Sequence, residues 1–166
     1  MEATNIYDFV GNVCESLGYN YQHGSFKAIQ KYLNLSLANK KDISKRFPLV
    51  ALITEGMVNS EEVNPSLHTA YPLRLIIATY TKKNYNSAER LELSFKAVLW
   101  PMRDQILDQL RRYSLSEFRE LPHKSQNHFY YSTDPGKSAN VLNFTLDAVE
   151  LTDLNLLINF NEAICD

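Results

Sequence analysis

Cysteine is nearly absent: Cys14 and Cys165 stand at opposite ends of a 166-residue chain and in no CxxC pair. That spacing excludes a disulfide framework and a cysteine-built zinc site, and it suits a reducing compartment. Glycine is sparse as well. Its five residues are scattered singly, so neither a phosphate-cradling loop nor the dinucleotide fingerprint can be written anywhere in the chain. Seventeen basic side chains against nineteen acidic ones leave a formal charge of -2, without the basic footprint of a protein that grips nucleic acid by its phosphates. Apolar runs such as Leu75-Ile76-Ile77-Ala78 are far too short to span a bilayer. The opening Met1-Glu2-Ala3-Thr4-Asn5 lacks the basic start and apolar core of a signal peptide, so the expectation is a protein made and kept in cytoplasm, with no membrane partner.

What is present is an ordinary globular composition, 45% apolar and 22% charged, in a length that makes one domain over residues 1–166. A first helix, which Thr4 can cap, places Ile6, Phe9, Val10, Val13 and Leu17 on one face, and Gly18 suits a left-handed stop. Tyr19 to Ser25 reads as a linker or short strand, and Phe26 to Leu35 as a shorter helix. Lys40, Lys41, Lys45 and Arg46 mark a solvated turn. Phe47 to Ile53 is a buried strand with Pro48 near its start, and Leu73 to Thr81 a central strand antiparallel to it. Asn86 and Glu89 form a capping box that opens the longest helix, with Leu91, Phe95, Val98, Met102, Ile106, Leu110 and Tyr113 on its inner face. Pro101 should kink or break that helix near Leu99-Trp100. Extended pieces follow at Glu117 to Leu121 and His128 to Tyr131, with polar loops at Glu55 to Asn64 and Ser132 to Asn140. Asn143 to Phe160 is a long strand whose bend would fall at Asp153. The expected fold is α+β: an antiparallel sheet of about four strands with helices packed on one face.

Chemistry is hard to write from these residues. There is no GxSxG, and Cys14 lies on the apolar face of the first helix, where a structural thiol is the better reading. His23-Gly24-Ser25 precedes a helix, a position where histidine caps or packs. His123 and His128 are five apart in an extended segment and point to opposite faces, which suits surface or partner contacts better than a metal. Asp147, Glu150 and Asp153 resemble the acidic set of a metal-dependent nuclease but alternate across faces with no following lysine, so a solvated strand edge is the simpler reading. The residues point to no catalytic, metal-ligating or cofactor-binding group, and to no enzyme.

Two distributions remain. Basic residues concentrate from Lys27 to Arg46, whereas every charge after Ser138 is acidic. Two solvated faces explain this, and so does a head-to-tail contact between a basic edge and a neighbour's acidic edge. Tyrosine is abundant, with ten residues that include Tyr130 and Tyr131, and tyrosine favours interfaces. The candidate subunit-interface residues are therefore Lys40, Lys41, Lys45, Arg46, Tyr130, Tyr131, Asp147, Glu150 and Asp153. The two polar loops are candidate contact arms.

Several segments together resemble a group of small proteins encoded by Bacteroides phages and prophages. They are Tyr21-Gln22-His23-Gly24, Phe47-Pro48-Leu49-Val50-Ala51-Leu52, Leu75 to Thr81 with Asn84-Tyr85, Glu89-Arg90 leading into Phe95 to Pro101, and Asp147 to Leu154. The element order is similar to that of head-to-tail connector (neck ring) and tail-terminator proteins of long-tailed phages. The resemblance implies a structural virion protein that forms a homo-oligomeric ring, with itself, the portal and adjacent connector or tail proteins as partners. It also implies DNA met only in passage through the channel, no cofactor, and residence in the virion neck or tail after assembly in the host cytoplasm. It carries over no functional residue, since that family acts through surfaces. The alternative is a phage-encoded enzyme, such as a nuclease, with a site the sequence does not reveal.

Overall fold

A computed structural model describes residues 5–35, 46–54, 69–82, 84–114, 121–128 and 145–158. The first helix, α1 (Ile6–Ser16), buries Ile6, Phe9, Val10, Val13 and Cys14 along one stripe, as the periodicity predicts. Asn5 is its N-cap and accepts the Asp8 amide at 2.9 Å; Thr4, expected in that role, lies outside the described residues. At the other end Gly18 takes φ +78°, which brings its amide to the Glu15 carbonyl and the Tyr19 amide to that of Cys14. This paired closure satisfies carbonyls that the helix end would otherwise leave open. Burial pushes the Cys14 thiol up to about 12, which makes it inert, as its place on the apolar face implies.

The chain then forms β1 (Asn20–Gly24), α2 (Phe26–Leu35), β2 (Leu49–Ile53) and β3 (Thr69–Thr81). A long helix begins with α3 (Ser87–Arg90), passes through a π-helical segment (Leu91–Leu99) and continues as α4 (Trp100–Tyr113). Two strands close the described fold, β4 (Lys124–His128) and β5 (Thr145–Ile158). The five strands make one sheet in the order β1-β2-β3-β5-β4.

The class is α+β, as the sequence indicates, but three details differ. The sheet has five strands, and it is mixed: β1 runs parallel to β2, while all other pairs are antiparallel. The cause is α2, which lies between β1 and β2 in the chain and acts as the crossover that a parallel pair requires. Nor are the helices confined to one face. α1 and the long helix cover a first face through Val50, Leu52, Leu75, Ile77, Val149 and Leu151. On the second face, Ile29 and Leu33 of α2 pack on Leu49, Ala51, Ile53, Ile76, Ala78, Leu146 and Ala148. Because β2 and β3 lie between these layers, their near-continuous apolar runs are what a sheet buried on both sides needs.

The long helix opens with the expected capping box, in which the Glu89 amide reaches Asn86 Oδ1 at 2.9 Å and the Asn86 amide reaches Glu89 Oε2 at 2.8 Å. Pro101 does not break it. The π segment sits immediately before the proline, with the Trp100 amide bonded back to the Phe95 carbonyl, so the missing proline N–H falls where the ladder changes from π to α pitch. That change of pitch moves the inner face. Arg90, Ser94, Phe95 and Leu99 are buried before the junction and Met102, Ile106, Leu107 and Leu110 after it; Leu91 and Val98 are only half-buried, and Tyr113 is exposed. An unbroken 3.6-residue period cannot find this face.

β5 bends where expected. Leu73 pairs with Leu154 and Leu75 with Leu151, so Thr152 and Asp153 together oppose Arg74 in a bulge, with Asp153 at φ +54°. The bulge keeps Val149, Leu151, Leu154, Leu156 and Ile158 on the first face although their spacing changes from odd to even.

Candidate functional site

β5 carries two carboxylates three residues apart that the pleat sends to opposite faces. Asp147 points under the long helix and meets Arg90, with Nη2 3.0 Å and Nε 3.2 Å from Oδ1; both side chains have 0% exposure. Arg90 closes α3 where the long helix passes into its π-helical segment, and its guanidinium reaches Asp147 on the sheet.

Glu150 faces the other side, among β3, β4 and α2. Arg74 places Nε and Nη2 each 2.6 Å from Oε1, and His128 on β4 donates from Nε2 to Oε2 at 3.0 Å. The Phe26 ring at the start of α2 lies 5.7 Å from the Arg74 guanidinium carbon, so the helix touches the same cluster. The hydrogen bond from His128, and then the Arg74 contacts, hold the Glu150 carboxyl below its ordinary range, with burial working against them. Both carboxylate oxygens are thus engaged within the chain. Beside this cluster, Phe26, Ile29, Leu33 and the strand residues beneath them enclose an apolar cavity of about 20 Å³, room for roughly one water and without polar groups to hold it.

Asp153 forms a third pair at the surface, with Lys124 Nζ 2.7 Å from Oδ2. Arg46 sits over the Tyr32 ring, 5.1 Å from its centre. The candidate interface residues therefore divide. Asp147 leaves the proposed acidic edge because it is fully buried, and Glu150 because it is 8% exposed and bonded to Arg74 and His128. Neither lies at a strand edge, since β5 is flanked by β3 and β4. Asp153 and Arg46 remain near the surface. Lys40, Lys41, Lys45, Tyr130 and Tyr131, and the loops Glu55 to Asn64 and Ser132 to Asn140, lie outside the described residues.

The described histidines pack rather than converge. His23 stacks on Tyr7 with ring centres 5.2 Å apart, Ser25 Oγ caps the Ala28 amide at 3.1 Å, and His123 Nδ1 bonds the Leu121 carbonyl at 2.7 Å. Among the described residues no three His, Cys, Asp or Glu side chains come together as a metal site would need. Also among the described residues, no helix is long and apolar enough to cross a membrane.

Sequence reading missed Arg90 and Arg74 as partners. The signal was available: a lone arginine inside Leu73-Arg74-Leu75 and a lone glutamate inside Val149-Glu150-Leu151 must each find an opposite charge on the same sheet face. Compared with known proteins, the chain matches no family model, no curated protein and no solved structure.

Proposed function

We propose that this chain is a structural subunit of a tailed-phage virion, building a homo-oligomeric ring at the head-to-tail connector or the tail terminus. The observation that carries the reading is the form of the sheet: among the described residues it ends on opposite sides in two short, mostly uncharged strands, β1 and β4, so one subunit offers two different edges to its neighbours. The charges inside the sheet are spent on holding the subunit together. A nuclease reading is weaker, because Asp147 and Glu150 occupy opposite faces and cannot share one cation. The partners proposed are further copies of this chain, the portal and adjacent connector or tail proteins, with DNA met in passage. A reconstruction of the phage particle encoding this chain tests the reading: density for the subunit as a ring in the neck or at the tail end is expected, and absence from both overturns it.

A further inference from the structure

We infer that successive copies of this chain join by pairing the β4 edge of one with the β1 edge of the next, extending the sheet antiparallel across the subunit boundary. The inference rests on the ring reading above and names the surface that would build the ring.

Strand direction is the first support. β1, β2 and β5 run one way and β3 and β4 the other, so a copy placed beside the first with its sheet in the same orientation sets β1 antiparallel to β4. Antiparallel is the more stable pairing. Length is the second, since both edge strands have five residues and, among the described residues, each has one strand neighbour. The third is the lack of guards among the described residues. Proteins blunt exposed edges with lysine, proline or a bulge, and here those devices sit at one end only: Pro122 before β4, Lys124 at its start and the bulge at Asp153 beside it. Ser125, Gln126 and Asn127 are exposed and uncharged, and Asn20, Tyr21 and Gln22 carry no charge either.

Side-chain pairing also separates this arrangement from a two-fold one. With strand centres aligned, Gln126 stands opposite the next copy's Gln22, Ser125 opposite its His23 and Lys124 opposite its Gly24, so no like charges meet. A two-fold pairing of β4 with itself would instead set Gln126 against Gln126 and leave the β1 edge unused. Two unlike edges make a heterologous contact, which closes a ring when the rotation permits.

The test is cross-linking of the full-length chain carrying Cys165→Ser, so that the buried Cys14 is the sole native thiol. His23→Cys and Ser125→Cys together, treated with a short bis-maleimide at high protein concentration, should give a ladder of trimers and larger species. The yield should be at least about tenfold above a control pair, Glu92→Cys with Ser125→Cys, because docked edges raise the local thiol concentration. Melting curves check that each variant folds. A ladder no stronger than the control overturns the inference, and so does strong dimer formation by Ser125→Cys alone, which is the two-fold outcome. If rings are seen in the particle without edge cross-links, the ring reading stands and this inference fails. A strong ladder from a chain absent from neck and tail keeps the edge pairing and removes the virion assignment.

Discussion

Asp147 and Glu150 are near neighbours on one strand, yet they live in different solvents. Asp147 shares a dry layer with Arg90 beneath the long helix, whereas Glu150 is held by a half-exposed arginine and a histidine on the opposite face. In the dry layer an ion pair has little margin, since neither partner can turn to water when the other is lost. On the second face water can enter and share the charge. The first pair is therefore costly to break on one side alone, and the second is an adjustable joint between β3, β4, β5 and α2.

Several substitutions would break or sharpen this contrast. The largest effect is expected from Asp147→Ala, which strands a buried guanidinium and should cost about 3–5 kcal/mol in chemical denaturation. Replacing both partners, Arg90→Met with Asp147→Leu, should recover most of that loss; a double variant as unstable as the single would show that the layer depends on more than this pair. Phe95→Ala belongs to the same layer. The ring is fully buried beside Trp100, and its loss should cost about 3–5 kcal/mol, with a melting shift near zero refuting the assigned face.

Glu150→Gln should cost less, about 1–2 kcal/mol near neutral pH, since charged hydrogen bonds are lost at a partly solvated place. Its pH dependence is the sharper readout. The Glu150 carboxyl is held below its ordinary value of 4.5, so its stabilisation is complete above that value and disappears as pH falls through the lower value of the folded state. The stability gap between native protein and Glu150→Gln should therefore narrow on acidification from pH 7 towards 3, and a gap that stays constant would mean the carboxylate charge is not what matters. At the bulge, Asp153→Val forces a β-branched residue to a positive φ and should cost roughly 1–2 kcal/mol, while Asp153→Gly should cost less. Lys124→Met is expected to leave the melting temperature unchanged, as its pair with Asp153 is open to water on both sides.

The same contrast explains what could be seen in the sequence. The α1 stripe, the capping box at Asn86, the buried strands at Leu49–Ile53 and Leu73 to Thr81, and the bend at Asp153 depend on neighbours within a few residues, and each stands in the structure. The parallel β1·β2 pair was illegible because β1, read as a linker or short strand, has a polar sequence, NYQHG, with little apolar pattern to assign it a partner. The second helical layer was missed because α2 was read by its own period, without a sheet face assigned to receive it. The ion clusters join Arg90 to Asp147 and Arg74 to Glu150 across the chain, and only the alternation of β5 decides which carboxylate meets which arginine.

The bulge at Asp153 gives the last strand a kind of punctuation. Up to Leu151 the residues that it turns to the first face are read in one frame of two, and from Leu154 in the other, so the strand works as two short phrases joined by a one-residue spacer. Substitutions at the spacer act locally, and so would a single-residue deletion there: with one residue left opposite Arg74 the alternation becomes regular, and Leu154 still pairs with Leu73. Leu154, Leu156 and Ile158 would keep the first face, whereas deleting Asn155 would turn Leu156 and Ile158 towards the far side of the sheet. Descendants of this sequence can therefore vary the count at position 153 more freely than at Asn155 or Leu157 in the same strand.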